Sequence, residues 1–590
     1  MRPHRFVVKQ DVLEMFVKKL VGVDDIEKAK VALRRKYKIQ PSNANILYAY
    51  KRMVEDGILE EDISFLQKCK GHSSRENSGV IVVSLLMSPY PNGQQFSCKF
   101  DCTYCPNEPS QPRSYLQNEP GVLRANRNGF SASAQIRDRL SAYAVNGLAT
   151  DKIEIIIQGG TFSSYPESYI RQFFLDIFAA ANSFSIDKDI EDVVEEKKLT
   201  KEQIRNEKSK TRIIGITIET RPDQINEQQL KLFRELGVTR VQLGVQHTDD
   251  KILKGVNRQC STRHTIKAIR MLKDNCFKID IHLMPDLPGA SPEIDRVMFD
   301  NVLQNPDLQV DQWKIYPCTI VPWTEIEKQF RNGTYIPYGF SALKELLVYV
   351  KTVVHPWIHL NRIIRDIPST YFVNDTGMKT NMRQLLQDEM TSRGLKCRCI
   401  RCREVKNGIV NDFELKIREY PASGGQEYFI SYESPDSSTL FGFCRLRITN
   451  GKQIFPELEG LGLVRELHVY GKVVGQVQHK GLGTQLLQEA ERIAASHGLS
   501  GTAVISGVGV RDYYRKRGYI LIEPYGFMIK HFRKLNPPEE KMPNDFILTL
   551  LIIFINVIAT FILTQIRDPV LCITCGFIYI FSLILIIQNN

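Results

Sequence analysis

The sequence predicts an α/β protein: a partial (β/α) barrel, then an antiparallel α+β module, then an apolar C-terminal tail. Three observations predict it. From Ser78 to Asp366 short β-rich runs alternate with helical ones, and strands separated by helices pair in parallel. After residue 407 strand runs follow one another directly, with a single glycine-opened helix among them. Phe546–Leu563 and Val570–Ile587 are apolar runs unlike anything before them. At 590 residues the chain exceeds one core, and 43% hydrophobic with 24% charged residues excludes a mainly disordered protein. Lys plus Arg outnumber Asp plus Glu by 78 to 66, a net +12 that suits an anionic partner. Thirteen cysteines, odd in number and tightly clustered, argue for a reducing compartment rather than a disulfide framework.

Residues 1–77 carry helical patterns with basic faces, where Lys18, Lys19, Arg34, Arg35, Lys36 and Lys38 alternate with Leu20, Val31, Leu33 and Tyr37. Clustered cations on a rigid support suit phosphate contacts, so this region is expected to bind RNA; a solvated helix surface is the other reading. The first residues, Met1 to Phe6, hold no apolar core of signal-peptide length, and no secretory leader is expected.

Residues 78–366 form the expected barrel, with strands beginning near Val80, Ile153, Ile213, Arg240 and Ile279. Chemistry in such barrels sits on the loops after strand C-termini, and the motifs fall there. Cys98, Cys102 and Cys105, a C-x3-C-x2-C array, follow the first strand. Three thiolates so spaced can wrap one corner of a cuboidal iron–sulfur cluster and leave one iron without a protein ligand. Zinc would need a fourth ligand nearby, and the next thirty residues contain no Cys or His. Gly159-Gly160-Thr161 follows the second strand, while Glu219 to Asp223 and His282 to Gly289 end two later ones, where Pro and Gly also serve simply to stop strands. Together these motifs resemble the radical S-adenosylmethionine (SAM) superfamily. That resemblance implies a 4Fe–4S cluster on Cys98, Cys102 and Cys105, SAM chelated at the open iron, and Gly159 and Gly160 against its methionine amine. The charged stretch 187–210 is expected to be a solvent-exposed insertion.

Residues 367–407 read as a basic linker holding Cys397, Cys399 and Cys402. Three thiols this close point to structural zinc; the fourth ligand is not evident, and reduced free thiols are the alternative. In residues 408–533, Gln478, Gly481 and Gly483 form a Q-x-x-G-x-G turn opening an amphipathic helix, followed by the strand Ala503 to Ser506 and by Tyr513-Tyr514. Glycines let backbone N–H groups close around a pyrophosphate at the positive helix end. The turn resembles the acyl-CoA signature of the GNAT acetyltransferase superfamily. Residues 534–545 read as a second basic linker and 546–587 as a membrane anchor of one or two transmembrane helices. Each run would span about 27 Å as a helix, the positive flank of His531, Arg533, Lys534 and Lys541 would stay cytosolic, and spans this short suit the endoplasmic reticulum or mitochondrial outer membrane.

The combination is similar to the catalytic subunit family of the Elongator complex, from about residue 10 to residue 532. Carrying the likeness are Gln158 to Phe162, Gly215 to Asp223, Met284 to Pro288, Arg365 to Pro368, Val464 to Gly471 and Val504 to Tyr519; the apolar tail lies outside it. The resemblance implies formation of 5-carboxymethyluridine at the tRNA wobble position from acetyl-CoA, SAM and water, with a deoxyadenosyl radical taking hydrogen from the acetyl methyl group. It implies a tRNA anticodon loop as substrate and Elongator accessory subunits as partners. Glu466, Leu467, His468 and Val469, with Gln478, Gly481, Leu482, Gly483 and Thr484, would line the CoA site. Tyr513 and Tyr514 would flank the thioester and Lys152 reach it from the barrel. Two other readings stand beside this one: a protein lysine acetyltransferase with a structural iron–sulfur domain, and a membrane-bound RNA-binding scaffold. The complete cysteine triad and CoA loop count against the scaffold.

Overall fold

In the computed structural model the described residues are 10–39, 41–69, 79–185, 198–373, 381–405, 412–470 and 481–532. Seven parallel strands run in sequence order through the first sheet: β1 (Ile81–Leu86), β2 (Lys152–Gln158), β3 (Arg212–Thr220), β4 (Arg240–Gln246), β5 (Lys278–Leu283), β6 (Gln312–Ile315) and β7 (His359–Arg362). Each crossover returns the chain beside the strand it left, which is what alternating strands and helices dictate. β2 shows how one strand serves two faces. Ile153, Ile155 and Ile157 are buried, while Glu154, Ile156 and Gln158 point the other way. The helix Glu167–Asn182 shares one apolar cluster with those isoleucines, burying Ile170, Phe173, Phe174, Ile177 and Phe178 at helical spacing.

The second sheet has the order β13-β14-β12-β11-β10-β9-β8. Its strands are β8 (Glu414–Ala422), β9 (Gly425–Glu433), β10 (Leu440–Ile448), β11 (Leu461–Val469), β12 (Gly501–Val504), β13 (Ile520–Ile522) and β14 (Phe527–His531). β8 to β11 form an antiparallel meander. β11 and β12 pair in parallel because the helix Leu482–Ser496 carries the chain between them.

Both sheets belong to one compact unit, Met1–Lys530. Phe455, Leu463, Ile505, Val508 and Phe527 from the second module enter the barrel's own apolar cluster. A Cβ at Gly507 would collide with the Ile214 carbonyl, so glycine alone lets that loop rest on β3. The stretch expected as an exposed insertion differs over residues 198–210. Asn206 is buried, accepting from Ile213 N at 2.8 Å, and Glu207 meets Arg511 at 3.1 Å and Arg515 at 2.5 Å. Glu207 is thus a tether to the second module, while Lys198, Lys201, Arg205, Lys208 and Lys210 are exposed as expected.

A buried ion network crosses the junction. Arg465 grips Asp311 through two 2.7 Å bonds and reaches Glu427 at 2.5 Å. Glu427 also meets Lys273 at 3.2 Å and Arg447 at 3.3 Å, and Arg447 meets Asp274 at 2.5 Å. Arg445 bonds Glu466 at 2.9 Å.

The N-terminal helices Gln10–Leu20, Ile26–Tyr37, Asn43–Glu55 and Ile63–Cys69 enclose a small core of Leu13, Val17, Ile46, Tyr50, Met53 and Phe65. Asp25 and Ser42 cap the second and third. Arg34, Arg35 and Lys36 occupy the last turn of the second, where the helix dipole favours cations.

The expectation of a transmembrane tail, with its endoplasmic reticulum or mitochondrial outer membrane location and membrane partner, is corrected. Among the described residues no helix is long and apolar enough to cross a membrane. The longest, Glu167–Asn182, has 16 residues, about 24 Å of rise against about 30 Å of hydrocarbon. The two apolar runs in 546–587 and the linker 534–545 lie outside the described residues. The fold class is the partial barrel with its second-sheet module.

Arg465→Ala would leave Asp311 and Glu427 buried without their shared cation, a change that costs about 3–5 kcal/mol. The expected outcome is a clear fall in the urea unfolding midpoint, while Arg393→Ala, in a surface network with Glu345 and Glu389, leaves it unchanged. An unshifted midpoint for Arg465→Ala would remove the network from the list of what holds the sheets together.

Candidate active site

The loop after β1 brings Cys98, Cys102 and Cys105 to the C-terminal mouth of the barrel, Cys102 buried and the others half-buried. Cys98 Sγ lies 3.1 Å from Thr161 Oγ1, and Thr161 N donates to Ser97 O at 3.2 Å. A Cβ at Gly160, whose φ is +56°, would run into that same Ser97 carbonyl. The Gly159-Gly160 turn therefore clasps the cysteine loop directly, a packing role its sequence did not disclose.

Cations surround the loop. Arg258 and Arg221 donate toward Cys102 Sγ at 3.6 and 3.8 Å, and Arg221 also stacks over Phe100 at 3.5 Å and pairs with Asp223 at 2.9 Å. Burial pushes the Cys105 thiol up to about 11, with Arg113 pulling it the other way. Three thiols and a ring of guanidiniums fit a cluster carried on thiolates, whose negative charge those cations offset. Arg258 sits in a loop after β4 and carries no motif signal, so sequence reading missed it.

Beside the cysteines a cavity of about 410 Å³ opens at the strand ends, lined by Tyr104, Tyr115, Glu219, His282, Arg362 and Arg365 among others. Tyr115 donates to Glu219 at 3.2 Å, His282 Nδ1 lies 3.5 Å from Glu219, and Arg365 pairs with Glu119 at 2.7 Å. Burial pushes the His282 imidazole well below its ordinary value, keeping it neutral.

A second cavity, of about 490 Å³, lies at the opposite ends of the same strands. Lys152 is the first residue of β2, Arg240 of β4 and Lys278 of β5, and all three line it. From the other module come Glu466, Leu467, His468, Val469, Gly481, Gly483, Thr484, Tyr513 and Tyr514. The structure thus gathers these expected residues, with Lys152, around one space. Leu482 is buried in the core instead, and Gln478 lies outside the described residues.

Gly481, at φ +75°, caps the helix Leu482–Ser496 and turns its N-terminus to the cavity. Arg517, which sequence reading missed, stacks on Tyr513 at 3.5 Å and donates to Thr484 Oγ1 at 2.7 Å. A helix N-terminus beside a guanidinium is suited to a pyrophosphate. Tyr514 is buried, and burial raises its phenol far above the usual range, so it stays a hydrogen-bond donor. The floor is ionic: Arg240 meets Glu154 at 2.7 Å and Glu466 at 3.6 Å. Burial would raise the Glu466 carboxyl, but Lys278, Arg445 and Arg240 outweigh it and hold it at about 2.

Cys397, Cys399 and Cys402 present sulfurs within 4.8 Å of one another, a spacing that fits one metal ion. Cys399 is fully buried, and the buried Lys351 donates toward Cys402 Sγ at 3.6 Å. Ile400 N bonds Ile358 O at 3.0 Å, so the trio fastens residues 381–405 to the start of β7. No fourth Cys, His or carboxylate joins the trio among the described residues.

Comparison with known proteins agrees with both halves. A Radical SAM superfamily model matches residues 95–297 and a Radical_SAM C-terminal domain model residues 310–392. The chain is 37% identical over 549 residues to the tRNA uridine(34) acetyltransferase of Methanocaldococcus infernus, covering 88% of this chain and 98% of that protein. It is 34% identical over 527 residues to Elongator complex protein 3 of Homo sapiens, covering 85% of this chain and 92% of that one. The solved structure of the archaeal Methanocaldococcus infernus Elp3 with an N-terminal deletion superposes with a TM-score of 0.66 at 36% identity, over 77% of this chain and all of that one.

Anaerobic reconstitution should load about four irons on the first triad and one zinc on the second. Elemental analysis should find that Cys102→Ala loses the iron and keeps the zinc, and that Cys399→Ser does the reverse. Wild-type iron in Cys102→Ala would refute the assignment of the triad.

Proposed function

Because the chain belongs to the family of Elongator complex protein 3 and the tRNA uridine(34) acetyltransferases, we propose that it converts the tRNA wobble uridine to 5-carboxymethyluridine, with acetyl-CoA as carbon donor. It is a radical SAM enzyme that modifies tRNA. Relatives named as Elongator complex subunits support accessory subunits as partners. The observation that carries the reading is that one barrel holds a cavity beside the cysteine loop at one end and, at the other, a cavity lined by both Lys152 and the glycine turn of the second module, so neither half is a detached appendage.

When bound, the cluster and SAM supply a carbon-centred radical able to take hydrogen from an unactivated methyl group. The chain's own residues do the rest. Arg221 and Arg258 orient the Cys102 thiolate. At the barrel mouth Tyr115, Glu219 and neutral His282 offer donors and acceptors to a splayed base edge, while Arg362 and Arg365 attract the backbone phosphates. Arg34, Arg35 and Lys36 of the N-terminal helices offer further cations to the body of the tRNA. In the second cavity the helix N-terminus and Arg517 hold the pyrophosphate, and Tyr514 donates to the thioester oxygen, where negative charge develops during hydrolysis. Lys152 approaches from the barrel side as a second donor.

The same geometry disfavours lysine acetylation. A base for an incoming ammonium should hold a proton near neutral pH. Glu466 is pinned as a carboxylate, Glu154 is paired with Arg240, and burial lowers the His468 imidazole. The scaffold reading leaves two elaborate cavities without use.

The test supplies acetyl-CoA labelled in its acetyl carbons, SAM, a chemical reductant and a tRNA bearing a wobble uridine. Label should enter RNA with the native chain and vanish with either Tyr514→Ala or Cys105→Ala, because donor positioning and radical generation are serial needs of one reaction. Unchanged RNA labelling by Cys105→Ala, or labelled protein beside unlabelled RNA, would overturn the reading.

A further inference from the structure

The lumen that separates the two cavities is polar. Parallel barrels ordinarily fill this space with layers of branched apolar side chains. Here Ile153, Ile155 and Ile157 of β2 and Ile279 and Ile281 of β5 turn outward to the helices, and Ile156 alone of the isoleucines in these two strands shares the face of Glu154. Inward lies a ladder of partners contributed by different strands. At the floor Arg240 bonds Glu154, and Thr217 Oγ1 lies 3.4 Å from Glu154. At mid-height Lys314 Nζ donates to Gln242 Oε1 at 2.6 Å. At the mouth His282 faces Glu219. The floor group belongs to the thioester cavity and the mouth group to the cysteine-side cavity.

Asp280 stands between them on β5, fully buried, its register partners being Gln242 on β4 and Gln312 on β6. Neither of its carboxylate oxygens has a hydrogen-bond partner in the protein, nor do Gln242 Nε2, His282 Nε2 or Arg240 Nε. Buried polar atoms left unpaired cost about 1–3 kcal/mol each. Two acceptors, two donors and an imidazole nitrogen that can act as either are a complementary set for bridging waters.

We propose that the barrel lumen is a hydrated proton relay joining the two cavities, with water on these unpaired atoms and Asp280 as the group that accepts and passes the proton. The relay rests on the proposed function. Hydrolysis by water of the thioester that joins CoA to the carboxymethyl carbon breaks the C–S bond and forms a C–O bond; one water proton goes to the CoA thiolate and the other leaves, through Asp280, toward the cysteine-side cavity as the carboxylate forms. The cavity where this happens has its carboxylates Glu154 and Glu466 tied to cations, which leaves them poor acceptors. Asp280 differs. Burial raises its carboxyl to about 6, against the pull of Lys314 and Arg240, so its proton affinity lies near neutral. The charged groups that act on it are Lys314 and Arg240, which lower it, and Glu219 and Asp311, which raise it; its inward neighbours on β5 are Lys278 and the neutral His282.

The full chain tests this in two ways. The infrared difference between the native chain and Asp280→Asn, titrated without substrates, should isolate a protonated-carboxyl band that disappears as pH rises through about 6, apart from the band of Asp286, which burial raises to about 7. Thioester cleavage in the complete reaction should rise with pH across the same range in the native chain, and be flat and lowered about tenfold or more in Asp280→Asn, with KM for acetyl-CoA unchanged. If Asp280→Asn does not fold, Gln242→Leu, which dries the lumen and keeps the carboxyl, should lower kcat at unchanged KM. A native chain without the band, a native-like pH profile in Asp280→Asn, or an unchanged kcat in Gln242→Leu would overturn the relay. Thioester cleavage with these properties but no carboxymethyluridine would support the relay and sink the proposed product instead.

Discussion

The bidentate grip of Arg465 on Asp311, shared with Glu427, is the contact on which the architecture turns. Taking three such charges out of water is costly, and their attraction repays the cost only with near-ideal geometry, which the paired bonds to Asp311 supply even though Arg465 Nε has no partner. That demand is what makes the contact specific. Arg465 sits on β11, Asp311 precedes β6 and Glu427 lies on β9, so only one placement of the second module against the barrel satisfies all three. Apolar packing around Phe455, Ile505 and Val508 is less selective, and would tolerate sliding that the ion network forbids.

From that placement the two cavities follow. Arg445 and Arg240 extend the network through Glu466 into the floor of the thioester cavity, so the residues that fix the junction also fix the charge state of the site. Gly507 brings the loop before Tyr513 and Tyr514 down onto β3, and both tyrosines line the cavity that Lys152 also lines. An acyl donor held there would lie at the strand starts, beside the polar lumen of the barrel. Hydrolysis in such a place needs an internal route for water and protons, and a lumen built of Gln242, Asp280 and Lys314 has the chemistry for one.

The cysteine mouth obeys a similar logic with different parts. Gly160 packs the second-strand turn against Ser97, and Arg221 links Phe100, Asp223 and Cys102. The loop is held by groups from three strand ends, so its shape does not depend on its own short-range preferences. The second cysteine trio, clipped to the start of β7, secures the chain where it leaves the barrel for the second sheet.

Much of this was legible in the chain itself. Strand and helix alternation fixed the parallel barrel, because side-chain periodicity is a local property; the cysteine spacing and the Gly481-Leu482-Gly483 turn pointed to candidate sites for the same reason, since their groups lie within a few residues of one another. Hydropathy alone misled at the tail, where apolar length was read as a membrane anchor that the described helices do not supply. Arg258, Arg517, Asp280 and the tethering role of Glu207 were not legible. Each acts on a partner far away in sequence, as Glu207 does on Arg511 304 residues later, and no local pattern encodes such a meeting. Sequence determined which chemistries the chain carries; tertiary structure alone decided that they share one barrel, because charge pairing across the junction is settled only when both sheets are in place.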